Sequence, residues 1–252
     1  MNNKQRRRLS HKGISVWSEQ QTRKGGYHMN TELTELVFIL DRSGSMRGLE
    51  KDTINGFNKM ITKQKKQGSK VNVTTILFDD DVDIIHDRFP VEIIEPLTEK
   101  EYFVRGCTAL LDAVGTAIEK MENVQKHLPQ KHRAGKVIFV ITTDGLENSS
   151  EHYTQEQIRR KIKAKKENNW EFLFLGANID AGKEAEKIGI SRNRSVTYEN
   201  DPEGIAVNFR AVGKALSKAT SCNDTEQFFE DHWKDEIEEY RKKSQKKSVE
   251  EK

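Results

Sequence analysis

With 252 residues, 34% of them apolar and 33% charged, the chain can bury a sizeable core as one large α/β domain or two small ones, and its tight apolar runs exclude a disordered composition. Two cysteines, Cys107 and Cys222, exclude a disulfide scaffold and a four-cysteine zinc site, and no apolar stretch approaches the roughly 20 residues that span a bilayer. The net charge of +3 is uneven: residues 1–28 hold seven cations and one anion, so the remainder carries 36 cations against 39 anions and offers no global basic field to nucleic acid.

Residues 1–28 show no apolar periodicity. No apolar segment follows Arg6, Arg7 and Arg8, so they do not read as a secretory signal. Lys24-Gly25-Gly26 can be encoded by AAA-GGA-GGU, a bacterial ribosome-binding sequence, two codons before Met29. The expectation is a basic segment that is disordered or not natively translated, with Met29 as the start. Two cysteines that need no pairing suit a reducing compartment, so a cytoplasmic setting is expected.

From Met29 onward strands and helices alternate. Glu35 to Leu40 is a β-rich run. Ile54, Phe57, Met60 and Ile61 mark a helix over 49–67, which Gly68 ends. Val71 to Phe78 alternates as a strand, and Val82 to Asp87 follows after a short acidic turn to make a hairpin. Leu110, Val114, Ala117 and Met121 step by four, three and four, as on an amphipathic helix. Lys136 to Thr142 is nearly all apolar, which suits a central parallel strand covered on both faces. A helix over 154–168, a strand over 171–175, a short helix over 182–188, a strand over 195–198 and a helix through Ile205 to Leu216 complete the pattern. This order predicts a Rossmann-like α/β class: a doubly wound, mostly parallel sheet with one antiparallel edge strand and helices on both faces. The domain is expected over 29–220. A C-terminal amphipathic helix over 221–241, carrying Phe229, Trp233, Ile237 and Tyr240, should pack on it, and 242–252 should be a charged disordered tail.

Sheets of this kind place ligand sites beyond the carboxyl ends of their strands, at the switch in strand order. The first strand ends in Asp41-Arg42-Ser43-Gly44-Ser45, and the other central strand in Thr142-Thr143-Asp144-Gly145. Thr108 opens the helix between them. Two carboxylates and three hydroxyls on one rim make an all-oxygen site suited to a hard cation, Mg²⁺ or Mn²⁺. The carboxylates neutralise a dication and the hydroxyls add no charge, so the ion stays open to one more anionic oxygen.

Asp41, Ser43 and Ser45 resemble the D-x-S-x-S motif of von Willebrand factor A domains, and Thr108 and Asp144 resemble that family's distal threonine and aspartate. All five positions of the metal-ion-dependent adhesion site are present, and the resemblance covers roughly 33–219. It implies a binding module, not an enzyme, in which Mg²⁺ or Mn²⁺ at the rim takes an Asp or Glu from a partner protein. The chain resembles the short intracellular type of bacteria and their phages, which implies an AAA+ ATPase or a stress-response protein as partner; from the charge balance and the lack of an apolar span, neither nucleic acid nor membrane is expected. The alternative is a Mg²⁺-dependent phosphohydrolase on the same sheet. Against it, Ser43 stands where a second aspartate would act as acid and base, and no G-x-x-x-x-G-K-[ST] phosphate loop occurs.

Weaker signals have plainer readings. Asp79-Asp80-Asp81-Val82-Asp83 looks calcium-like, but a calcium loop starting at Asp79 would need Gly and Glu where Ile84 and Pro90 stand. A solvated hairpin turn is expected. The cations Arg159, Arg160, Lys161, Lys163, Lys165 and Lys166 should form a solvated helix face rather than a nucleic-acid patch, and the tail lysines likewise. His127, His132 and His152 have no metal-ligand spacing and should lie at the surface. Arg47, Glu147 and Asn148 should rim the metal face, either shaping partner choice or simply exposed.

Overall fold

The apolar run at Leu36–Leu40 lies inside β1 (Asn30–Asp41), at the centre of a six-stranded sheet. The structure, a computed structural model, describes residues 30–221, 229 and 232–250. The segment 1–28 lies outside them, so the expectations about it are not addressed. After β1 come α1 (Glu50–Lys65), β2 (Val71–Phe78), β3 (Val82–Pro90), α2 (Leu110–His127) and β4 (Ala134–Thr143). Then follow α3 (Gln155–Lys166), β5 (Trp170–Ala177), α4 (Ala181–Lys187), β6 (Ser195–Tyr198), α5 (Pro202–Ser221) and α6 (Asp235–Glu250).

The strand order is β3-β2-β1-β4-β5-β6. Every pairing is parallel except that of β2 with β3, which forms the antiparallel edge. Alternation along β1 divides the core. Leu36, Phe38 and Leu40 join α1, α5 and α6 on one face, while Val37 and Ile39 join α2, α3 and α4 on the other. Burial on both faces explains why β1 and β4 read as continuous apolar runs. The chain leaves β1 first towards β2, then crosses back to β4, so the switch point falls between β1 and β4. Asp41 pairs in register with Phe78, and Leu40 with Thr142, which brings the ends of both central strands to one edge.

Two expectations need correction. The acidic turn is only partly solvated: Asp80 and Asp81 are exposed, but Asp79 is buried against the guanidinium of Arg42. An unpaired charge would not be buried there, and the arginine that pairs it lies 37 positions away. Of the C-terminal helix expected over 221–241, residues 222–228, 230 and 231 lie outside the described residues; Phe229 and Trp233 are buried, and the described helix runs from Asp235. It then continues through the stretch expected to be a disordered tail, as far as Glu250. Lys, Gln and Glu are good helix formers. Packing of Ile237 and Tyr240 on the domain supplies the nucleus that an isolated charged segment lacks. His127, His132 and His152 are exposed, as expected. A histidine not singled out, His86, is buried on β3, where its Nδ1 meets Thr75 Oγ1 at 3.0 Å.

Candidate metal centre

β1 delivers Asp41 to the carboxyl edge of the sheet, and the chain turns at once. Ser43 N–H donates to Asp41 Oδ1 at 2.7 Å, which curls the backbone back over its own carboxylate. Thr143, at the end of β4, donates its hydroxyl to Asp41 Oδ2 at 2.6 Å. A single turn of 3-10 helix, Gly44–Met46, then presents Ser45. Its Oγ lies 3.1 Å from Ser43 Oγ and donates to Asp144 Oδ1 at 2.5 Å. The motif at the end of β1 is thus joined to the aspartate after β4, which lies 99 positions later.

Thr108 arrives from the opposite side. Its N–H donates to Asn148 Oδ1 at 2.9 Å, and Asn148 N–H returns a bond to the Thr108 carbonyl at 3.1 Å. A Cβ on Gly145 would stand 3.2 Å from Thr108 Oγ1 and 3.8 Å from Ser45 Oγ. Both hydroxyls therefore crowd the space that glycine leaves beside Asp144. All five residues expected at the site, Asp41, Ser43, Ser45, Thr108 and Asp144, gather on one rim.

The electrostatics favour a cation there. Burial raises the pKa of Asp41 above the usual carboxylate range, and the charge of Asp144 adds to it, against the hydrogen bonds from Ser43 and Thr143. Burial likewise raises that of Asp144, against bonds from Ser45 and Asn200. Two desolvated carboxylates beside three hydroxyls form a hard-oxygen donor set that fits Mg²⁺ or Mn²⁺. Among the described residues, no three His, Cys, Asp or Glu side chains cluster as metal ligands.

Sequence reasoning missed the groups that hold this rim in place. Arg42, inside the motif, is fully buried. It donates to Asp79 Oδ2 at 2.6 Å and also pairs with Asp83. Arg105 donates to the same Asp79 oxygen at 2.8 Å, and Phe103 lies against both guanidiniums. Arg105 N–H also bonds the Arg42 carbonyl at 3.0 Å, and Ala109 N–H the Asp79 carbonyl at 2.9 Å. The acidic turn is therefore a clasp between the loop of Asp41 to Ser45 and the loop that leads to Thr108. Gly106 is part of it: its φ is +64°, and a Cβ there would lie 2.2 Å from Asp80 Oδ2. A charged residue between two motif positions was the available signal.

Tyr102 donates its hydroxyl to the Asp41 carbonyl at 2.6 Å. Asn200, after β6, donates to Asp144 Oδ2 at 3.2 Å. The strand-end rule applied to β6 would have nominated that loop. Of the three expected rim residues, Arg47 and Asn148 are exposed. Glu147 instead accepts from Leu111 N–H at 2.8 Å in the first turn of α2, so Glu147 and Asn148 hold Thr108 and its helix.

A family model described as the von Willebrand factor type A domain matches residues 35–211. Among solved structures, a von Willebrand factor type A protein from Catenulispora acidiphila superposes with a TM-score of 0.53 at 17% identity, over 74% of this chain and 43% of that one. The von Willebrand factor domain of the type V pilus tip protein Mfa5 from Porphyromonas gingivalis gives 0.55 at 10% identity, over 75% and 97%. Proximal thread matrix protein 1 from the mussel byssus, with a zinc-occupied metal-ion-dependent adhesion motif, gives 0.50 at 13%, over 75% and 47%. The chain spans less than half the length of the mussel and Catenulispora proteins. No curated protein sequence matches it.

Proposed function

Since the chain belongs to the von Willebrand factor type A domain family, we propose that its rim binds a protein partner by capturing an Asp or Glu side chain through Mg²⁺ or Mn²⁺. The family is one of protein-binding domains; the metal and the acidic ligand are our reading for this chain. The observation that carries it is the joining of Asp41, Ser43, Ser45, Thr108 and Asp144 around one glycine-lined space. When bound, the dication would supply a Lewis-acidic site for an anionic oxygen. The protein's own groups do the rest. Asp41 and Asp144 balance the ion's charge, and Thr143, Ser43 N–H and Asn200 keep the two carboxylates oriented. The clasp at Asp79 sets the distance between the Ser45 and Thr108 loops.

Leu146, two residues beyond Asp144, and Phe103, against the Arg42 guanidinium, are both large apolar side chains left exposed. Such exposed apolar surface supports a protein ligand over a small anion. Ser43 in place of a second aspartate supports binding over hydrolysis. An exposed free thiol at Cys107 supports a reducing, cytoplasmic setting, and the resemblance drawn from the motif supports an AAA+ ATPase or stress-response partner.

The test is capture by the immobilised protein from lysate of its own host. A partner retained in Mg²⁺, released by EDTA and retained again in Mn²⁺ is expected, with Asp41→Asn retaining none. Partner binding that is indifferent to chelation would overturn the reading.

A further inference from the structure

Asn200 carries an observation that the five-residue site leaves unexplained. It sits at the carboxyl edge of the sheet, where β6 passes into α5. Its Nδ2 donates to Asp144 Oδ2, while Ser45 holds Asp144 Oδ1, so the carboxylate is gripped at both oxygens. The other end of the amide, Oδ1, is buried without a hydrogen-bond partner among the described residues. Reversing the amide would set two acceptors against each other, so Asp144 dictates the orientation and Oδ1 stays spare.

The loop around Asn200 is built to hold it still. Asp201 accepts from Gly204 N–H at 2.6 Å and from the Tyr240 hydroxyl of α6 at 3.0 Å. Glu199 faces Arg241 at 3.4 Å and accepts from Gln245 at 3.2 Å, both also on α6. The residues on either side of Asn200 are thus tied outward to the C-terminal helix, and Asn200 alone of the three reaches Asp144.

We infer that Asn200 is a sixth residue of the metal centre. It is a positioning residue: through Nδ2 it fixes the orientation in which Asp144 meets the cation. The inference rests on the proposal above that Asp144 ligates a dication.

The test is Mn²⁺ titration of the full chain, read as the loss of the free-ion electron paramagnetic resonance signal, together with melting of the metal-free protein. Wild type, Asn200→Ala, Asn200→Asp and Asp144→Ala are compared. Removing a partner that orients a ligand costs about 10–100-fold in metal affinity, so Asn200→Ala should weaken Mn²⁺ binding by that factor. Asn200→Asp replaces the donor to Asp144 with a further carboxylate, so its metal-free form should melt below wild type. If Asn200→Ala binds Mn²⁺ as wild type does and only melts lower, Asn200 is purely structural and the inference fails, with the metal reading intact. If wild type does not bind Mn²⁺, or Asp144→Ala binds it equally well, the metal reading itself falls.

Discussion

Replacing Asp79 with Asn removes one negative charge from the clasp while keeping its shape. Asp79 is 1% exposed and its partner Arg42 2%, so this pair is not relieved by solvent. Breaking a buried pair from one side costs about 3–5 kcal/mol, because the remaining charge stays buried. Two features place the expected value at the lower end. Arg105 is 42% exposed, so its share is screened and worth at most about 1 kcal/mol. Arg42 also keeps Asp83, itself 49% exposed, as a second counter-ion. The expected loss is therefore about 3 kcal/mol, or roughly 6–12 °C in Tm at 2–4 °C per kcal/mol for a chain of this size.

Urea unfolding of wild type and Asp79→Asn is the assay, with an unchanged slope and a lower midpoint expected. Acid provides an internal check. Burial pushes the Asp79 carboxyl up, but bonds from Arg105, Asp81 N–H and Arg42 outweigh it and hold the pKa below the usual carboxylate range. A depressed folded-state pKa contributes stability above the unfolded value of about 4, and that contribution is lost as pH falls through the folded value. The gap between wild type and Asp79→Asn should therefore close in strong acid. A loss under about 1 kcal/mol at neutral pH, or a gap that widens in acid, would refute the idea that this ion pair holds the rim together.

Asp144→Ala should leave the metal-free domain folded, or slightly more stable, because it removes one of two desolvated carboxylates that repel each other. Wild type should melt higher with Mg²⁺ by mass action and this variant should not; a variant that unfolds without metal, or that keeps the full Mg²⁺ shift, contradicts the assignment. His86, within the edge hairpin on β3, gives a pH-dependent outcome. Burial lowers its pKa from the ordinary 6.5, so its contribution is present above that value and is lost as pH falls through the folded one. Denaturation of wild type and His86→Gln at pH 7 and pH 5.5 should show a loss in wild type that the variant lacks, and parallel losses would exclude His86 as the cause.

Much of this molecule was legible in one dimension. Continuous apolar runs such as Leu36–Leu40 and Val137–Ile141 marked strands buried on both faces, and the spacing of Leu110, Val114, Ala117 and Met121 marked a buried helix stripe, because burial repeats with the local period of each element. The same reasoning placed Asp41 and Asp144 at strand ends and Thr108 near a helix start, and a doubly wound sheet brings those ends to a common edge. The five candidate residues could be named because each lies at a strand end, in the turn just beyond it or just before a helix, where topology sets position.

The groups that steady the site had no such signature. Arg42 meets Asp79 across 37 positions and Asn200 meets Asp144 across 56. No periodicity records such pairs, and Asp79 in sequence is indistinguishable from its solvated neighbours Asp80 and Asp81. The same holds for the tail, where lysines and glutamates compatible with either helix or coil become α6 once Ile237 and Tyr240 pack on the domain. Local pattern determined where the chain forms strands and helices. Which charges are buried, and which polar atoms are left spare beside the site, depended on distant segments meeting in three dimensions, because an ion pair is decided by the partner's distance and by how much water is excluded between them.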